Sequence, residues 1–171
     1  EATIERRTRV DRVPYETWAR LGMIEVTPGN TVNYDWIKQA GYDWMDQYDV
    51  RQFGFDRWNA TQTMNDMEAE GVEIVKVGQG FASLTAPAKE LERLVVSGEL
   101  EHGNHPVLTW MARNAGYETD AAGNLKPSKA KSKEKIDGIA ATVNALFVAM
   151  STSAGTVAVS PWDDPSYSLV A

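Results

Sequence analysis

The sequence predicts an α/β fold with at least some parallel strand pairing. Two observations carry that prediction. Short apolar, β-branched runs recur, of which Val72-Glu73-Ile74-Val75-Lys76-Val77 is the clearest, and the longer segments between them repeat apolar residues at helical spacing. A third observation is size. The chain has 171 residues, 43% hydrophobic and 24% charged, and a chain that long buries about two-thirds of its unfolded surface around one core.

Taken in order, residues 3–21 read as helix interrupted at Pro14, with Val13, Trp18 and Leu21 as apolar anchors. Proline suits the first turn of a restarted helix, where its missing N–H has no partner to lose. Met23-Ile24-Glu25-Val26 reads as a short strand ended by Pro28-Gly29. From Asp35 to Gln47 the residues Trp36, Ile37, Ala40, Trp44 and Met45 fall at helical spacing, and residues 49–55 read as a strand with Val50, Phe53 and Phe55 apolar. Asn59 opens a helix to Glu70, with Gln62 as its capping-box partner and Gly71 as its stop. After the strand at 72–77 come helices from Pro87 to Ser97 and from Pro106 to Asn114, then a hairpin over 117–127 turning between Asp120 and Gly123. The longest helix runs from about Lys133 to Met150, with Ile136, Ala140, Val143, Phe147 and Met150 in one stripe. Past that stripe the periodicity stops, so residues 1–150 read as the domain and 151–171 as an irregular tail.

Several function classes are excluded by composition. With no cysteine there is no disulfide, thiolate nucleophile, iron–sulfur cluster or cysteine-based zinc site. No apolar run approaches the roughly eighteen residues of a membrane helix. A net charge of −7 and a pI near 4.9 argue against a generally basic nucleic-acid coat, though not against a local basic patch. Such a patch is present. Five of the seventeen basic residues are Lys126, Lys129, Lys131, Lys133 and Lys135, interrupted in charge only by Glu134. The run is either a solvated loop or a strip that holds phosphates.

Two acids stand out. Asp56 directly follows the strand at 49–55, and ligands in open α/β sheets bind outside the carboxyl ends of strands. Asp137 opens the long helix beside the apolar seam, where a helix N-terminus favours an acid and a hard cation would be a suitable partner. Two carboxylates converging from a strand end and a helix start form a Mg²⁺ or Mn²⁺ site of the kind that hydrolyses phosphodiesters. Weaker candidates fall away. Gly78-Gln79-Gly80 lacks the third glycine of a dinucleotide loop, and His102 and His105 lack a third soft ligand.

A set of short motifs in fixed order resembles the central part of phage terminase large subunits of the HK97-like group. The set comprises Arg12-Val13-Pro14-Tyr15 with Trp18 and Gly22, Thr27-Pro28-Gly29-Asn30, Phe55-Asp56-Arg57-Trp58 and Gln79-Gly80-Phe81. It continues through His105-Pro106-Val107-Leu108-Thr109-Trp110-Met111 with Asn114, then Lys126-Pro127-Ser128-Lys129 and Lys135-Ile136-Asp137-Gly138. The resemblance covers about residues 1–150. It implies an RNase H-like mixed sheet flanked by helices, in a nuclease domain that cuts concatemeric double-stranded DNA with two metal ions. It places Asp56 and Asp137 as catalytic metal ligands, and beside such a site the charge run of Lys126, Lys129, Lys131 and Lys133 would hold the DNA backbone without reading bases.

The same resemblance implies a small subunit and a portal as partners and a place at the procapsid portal vertex in the host cytoplasm. The family's first acid lies on an opening strand that this sequence does not contain, and no Gly-x-x-x-x-Gly-Lys-[Ser/Thr] loop of an ATPase is present. The chain also opens on Glu1. The expectation is therefore a piece cut inside the nuclease domain, lacking its first strands, with an ATPase domain upstream. A non-catalytic DNA-clamping or portal-docking module is the alternative reading.

Overall fold

The computed structural model describes residues 2–29, 31–56 and 61–155. As expected, the first helical stretch is split into α1 (Ala2–Asp11) and α2 (Tyr15–Arg20), with Pro14 at the residue before α2. Trp18 and Val13 are buried against Val107, and the Trp18 ring meets Tyr15 and Trp110 edge-on at 5.8 and 5.6 Å. Leu21, expected as an anchor, is instead exposed. The chain leaves α2 through Gly22 at φ +68, and the Met23 N–H returns to the Trp18 carbonyl at 2.8 Å. Met23 and Ile24 thereby take the packing place assigned to Leu21. Residues 23–26 form no strand, since among the described residues no other strand lies alongside to pair with them.

Helix α3 (Tyr34–Gln47) starts at Asn33, whose side chain accepts the Asp35 N–H at 2.9 Å. It rests on the rest of the molecule through Gly41, where a Cβ would sit 3.2 Å from Met67 Cε and 3.7 Å from the Phe53 ring. The predicted apolar stripe does not face the core. Trp36, Ile37, Trp44 and Met45 stay exposed, because the close approach is made where the side chain is absent.

The two strands expected to be neighbours are neighbours. β1 (Phe53–Asp56) and β2 (Ile74–Val77) pair in parallel, with Phe53 opposite Ile74 and Asp56 opposite Val77. Helix α4 (Thr61–Ala69) lies between them in sequence and buries Met64 and Met67. The capping role expected of Asn59, and the pair Arg57-Trp58, lie outside the described residues.

Helix α5 (Phe81–Val96) begins six residues before Pro87, which is inside it and buried with Leu84, Ala88 and Leu91. Proline in a helix forfeits one backbone bond, and here the apolar face packed on the longest helix compensates. Helix α6 (Pro106–Asn114) starts at Pro106 as expected. β3 (Tyr117–Thr119) and β4 (Leu125–Pro127) form the antiparallel hairpin. At its turn the Asp120 carboxylate accepts the N–H groups of Ala122 and Asn124 at 2.9 Å each.

Helix α7 (Asp137–Gly155) starts four residues later than predicted and runs past Met150 into the expected tail. Its buried line is Ile136, Ile139, Val143 and Val148, so the predicted stripe is rotated and Met150 is exposed. Parallel and antiparallel pairing thus occur in two separate two-stranded sheets, with the α5–α7 core joined to Val77.

Candidate active site at the carboxyl edge of the parallel strands

Residue 54 sets the approach of α7 to β1. A Cβ on Gly54 would stand 2.8 Å from Val148 Cγ2 and 3.4 Å from the Asn144 carbonyl oxygen, so only glycine leaves room for α7 directly on the strand. Strand side chains alternate, so Asp56, two residues on, lies on the α7 face, while Phe53 and Phe55 share the opposite face. Asp56 is half-buried.

On α7, residues 137, 144 and 148 lie along one stripe, at the seven- and four-residue steps that return to the same helix face. The helix runs antiparallel to β1, because Gln52 before the strand accepts the Thr152 hydroxyl at 2.6 Å near the far end of α7. From Gly54 to Asp56 the strand advances about 7 Å, and from Asn144 to Asp137 the helix advances about 10 Å in the same direction. Both acids therefore lie toward the same end of the β1–α7 pair, about 3 Å apart along the axis of α7 by these advances.

The start of α7 is seated by α6. A Cβ on Gly138 would meet Met111 Sδ at 3.0 Å and Leu108 Cδ1 at 3.1 Å, and Ile136 beside it is buried. That seat leaves Asp137 directed outward, with 58% of its side chain exposed, and it holds Lys129 Nζ at 2.7 Å.

The lysines divide in two. Lys126 is held within the molecule: its ammonium lies 3.4 Å from the Gln79 carbonyl, 3.8 Å from Glu118 and 5.2 Å from the centre of the Phe81 ring. Lys129 is bound to Asp137. Lys131 and Lys133 are exposed, and Lys135 sits 5.5 Å from the Tyr15 ring centre.

The segment between Ser128 and Lys135, whose only apolar residue is Ala130, is tied down by polar groups. Ser128 is buried and donates its N–H to the Gly116 carbonyl at 2.9 Å. The Ser132 hydroxyl donates to the Ser128 carbonyl at 2.7 Å and accepts the Gly116 N–H at 2.9 Å.

Among the described residues, no group of three or more His, Asp or Glu side chains is placed to hold a metal ion. Asp56 and Asp137 remain a pair of hard oxygen donors at one edge, and the ammonium on Asp137 shows that this carboxylate accepts a cation.

The sequence reading assigned no role to Gln79, quoted only within its motifs, or to Asn144. Gln79 Nε2 reaches Asn144 Oδ1 at 3.4 Å, linking the loop after β2 to α7 at this same edge. The signal was an asparagine set among apolar residues of the long helix, seven positions after Asp137.

Comparison with known proteins gives a consistent result. The family described as "Terminase large subunit, endonuclease domain" matches residues 1–153. The chain is 39% identical over 143 residues to the terminase large subunit of Enterobacteria phage HK97, covering 82% of this chain and 28% of that protein. It is 29% identical over 138 residues to Protein YmfN of Escherichia coli (strain K12), covering 80% of this chain and 30% of that protein. The crystal structure of the HK97 bacteriophage large terminase matches with a TM-score of 0.79 at 37% identity, over 86% of this chain and 31% of that one. The chain thus spans less than a third of the length of each of these relatives.

Proposed function

The chain belongs to the terminase large subunit endonuclease-domain family, with the RNase H-like α/β fold of its nuclease, and on that premise we propose that it is a metal-dependent endonuclease module that cuts concatemeric double-stranded viral DNA during packaging. What supports the reading is that β1 ends on Asp56 and that α7, packed antiparallel on β1, begins on Asp137.

Asp56 and Asp137 would hold Mg²⁺ or Mn²⁺, and a bound pair of such ions supplies an activated water and neutralises the leaving oxygen of an in-line phosphodiester attack. The protein's own contributions are positional. β1 fixes Asp56 on a paired strand, and α6 seats the first turn of α7 so that Asp137 is presented outward. Lys131 and Lys133 offer the DNA backbone exposed charge, and Lys129 joins them when a metal ion displaces it from Asp137. Lys126 acts from within, holding the hairpin on the loop after β2. Among the described residues the edge of β1 away from β2 carries no strand, and that is the edge at which the family's acid-bearing opening strand would add its carboxylate. A small subunit and portal as partners, an ATPase domain upstream, and action at the portal vertex in the host cytoplasm belong to the same reading.

Titration of Mn²⁺ into the chain, followed by calorimetry, tests it. Binding should be lost or sharply weakened in Asp56→Ala and in Asp137→Ala. Unchanged Mn²⁺ binding in both variants would overturn the metal-site reading. DNA binding that persists with no Mn²⁺ uptake would favour a clamping or docking module, the reading to which the Lys129–Asp137 pair lends some support.

A further inference from the structure

Gln79 occupies an unusual crossing point. Its side-chain Nε2 donates to the Val77 carbonyl at 3.3 Å and to Asn144 Oδ1 at 3.4 Å, and its backbone carbonyl accepts Lys126 Nζ at 3.4 Å. One loop residue therefore ties together the end of β2, the middle of α7 and strand β4 of the hairpin. Val77 is the register partner of Asp56, so the tie is made two residues beyond the position that faces the acid across the strand pair.

Packing alone gives Asn144 no reason to be polar. Val143 and Val148 beside it on α7 are buried, and its carbonyl oxygen lies under Gly54. A half-buried amide costs free energy unless it is bonded, and its side-chain oxygen is spent on Gln79. The seat of Gly138 on α6 and the Thr152–Gln52 bond restrain the two ends of α7 against rotation about its own axis. A directional amide pair midway, on the stripe that carries Asp137, resists that rotation as well. Rotation is the coordinate that matters here, because Asp137 stands two turns further along that stripe and swings sideways as the helix turns.

Resting on the metal-site reading above, we infer that Gln79 and Asn144 are positioning residues that lock the rotation of α7 and so hold Asp137 in register with Asp56 for a shared divalent cation. Neither touches the cation. Each acts by fixing the geometry of a carboxylate, and partners of this kind typically alter metal affinity by about 10- to 100-fold when removed.

The experiment is a Mn²⁺ titration of Gln79→Ala, Asn144→Ala and the double variant, with thermal midpoints measured on the same samples. Both single changes are compatible with folding, since one lies in a loop and the other raises helix propensity. Each single variant should bind Mn²⁺ about 10-fold more weakly, and the double variant no more weakly than the worse single, because the pair acts as one bond. Exchanging the two amides in Gln79→Asn/Asn144→Gln should recover part of the affinity. A lowered midpoint with unchanged Mn²⁺ affinity would make the pair merely structural and overturn the inference, as would additive losses in the double variant. Asp56→Ala and Asp137→Ala in the same series keep the two ideas apart. If they abolish Mn²⁺ binding while the amide variants do not weaken it, only the inference falls; if they leave it intact, the site reading falls first.

Discussion

A methyl group at position 116 should unseat the lysine segment. The Cβ of Gly116→Ala would lie 2.3 Å from the Lys131 carbonyl oxygen, 2.5 Å from its carbon and 3.0 Å from Ser132 N, all of them backbone atoms that no rotamer change can move. Gly116 is not at positive φ, so alanine meets no conformational penalty there and the whole effect is one of space. Relief to ordinary contact requires the 129–132 turn to retreat by about 1 Å. That shift breaks two bonds now at 2.9 Å, from Ser128 N–H to the Gly116 carbonyl and from Gly116 N–H to the Ser132 hydroxyl. Two such bonds contribute about 1–3 kcal/mol together, and overpacking adds about 1–3 kcal/mol. For a chain of this size each kcal/mol moves the melting midpoint by about 2–4 °C, so the midpoint should fall by at least about 4 °C. Calorimetric melting measures it. Gly80→Ala serves as control, since a Cβ there meets nothing within 4 Å. If Gly116→Ala melts with the control, the hydrogen-bonded anchoring of this segment is wrong.

Two further outcomes are expected. Lys131→Gln and Lys133→Gln should weaken binding of unrelated duplexes to similar extents and flatten the log–log salt dependence by just under about one unit for each phosphate left without its lysine, measured by fluorescence anisotropy; weakening confined to one sequence would point to base readout. Stability should also fall on acidification. The carboxylates of Asp66, beside the Gln62 amide and Lys38, of Glu90 and Glu99, both on Arg93, and of Asp120, on Asn124, are all held below the ordinary carboxylate range. A depressed acid contributes fully above its unfolded value and loses that contribution as pH falls through the folded one. Urea midpoints should therefore be flat above about pH 5 and drop below about pH 4, and midpoints that rise on acidification would contradict these ion pairs.

The parallel pair β1–β2 was legible because β-branched runs and the helix between them leave few alternatives. The placement of Asp56 and Asp137 followed from the same pattern, a strand end and a helix start. What misled was packing that depends on missing side chains. The apolar stripe of α3 is real, yet Gly41 makes the contact and Trp36, Ile37 and Trp44 are left outside. Pro87 reads as a helix start because proline is common there, but burial of Leu84, Pro87 and Leu91 together extends α5 through it. The Ser128 and Ser132 anchors are invisible in sequence because their partner, Gly116, lies across a hairpin. The Gln79–Asn144 link spans 65 positions, a separation at which periodicity carries no information.

On the proposed function, Lys129 bears on how an acidic chain would serve a polyanion. It is paired with Asp137 at 2.7 Å, and both side chains are mostly exposed. An exposed pair of this kind is worth only about 0.2–1 kcal/mol, so on the proposed reading a divalent cation arriving at Asp137 would displace the ammonium at a cost of about fivefold in affinity or less. The displaced lysine stays within the anchored 128–132 segment, next to Lys131 and Lys133, where it can meet a phosphate. Metal loading would then convert an internal ion pair into a contact for DNA at the same edge. On this account Lys129, exposed in either state, is paired with Asp137 in the apo protein and would be free to meet a phosphate in the loaded one.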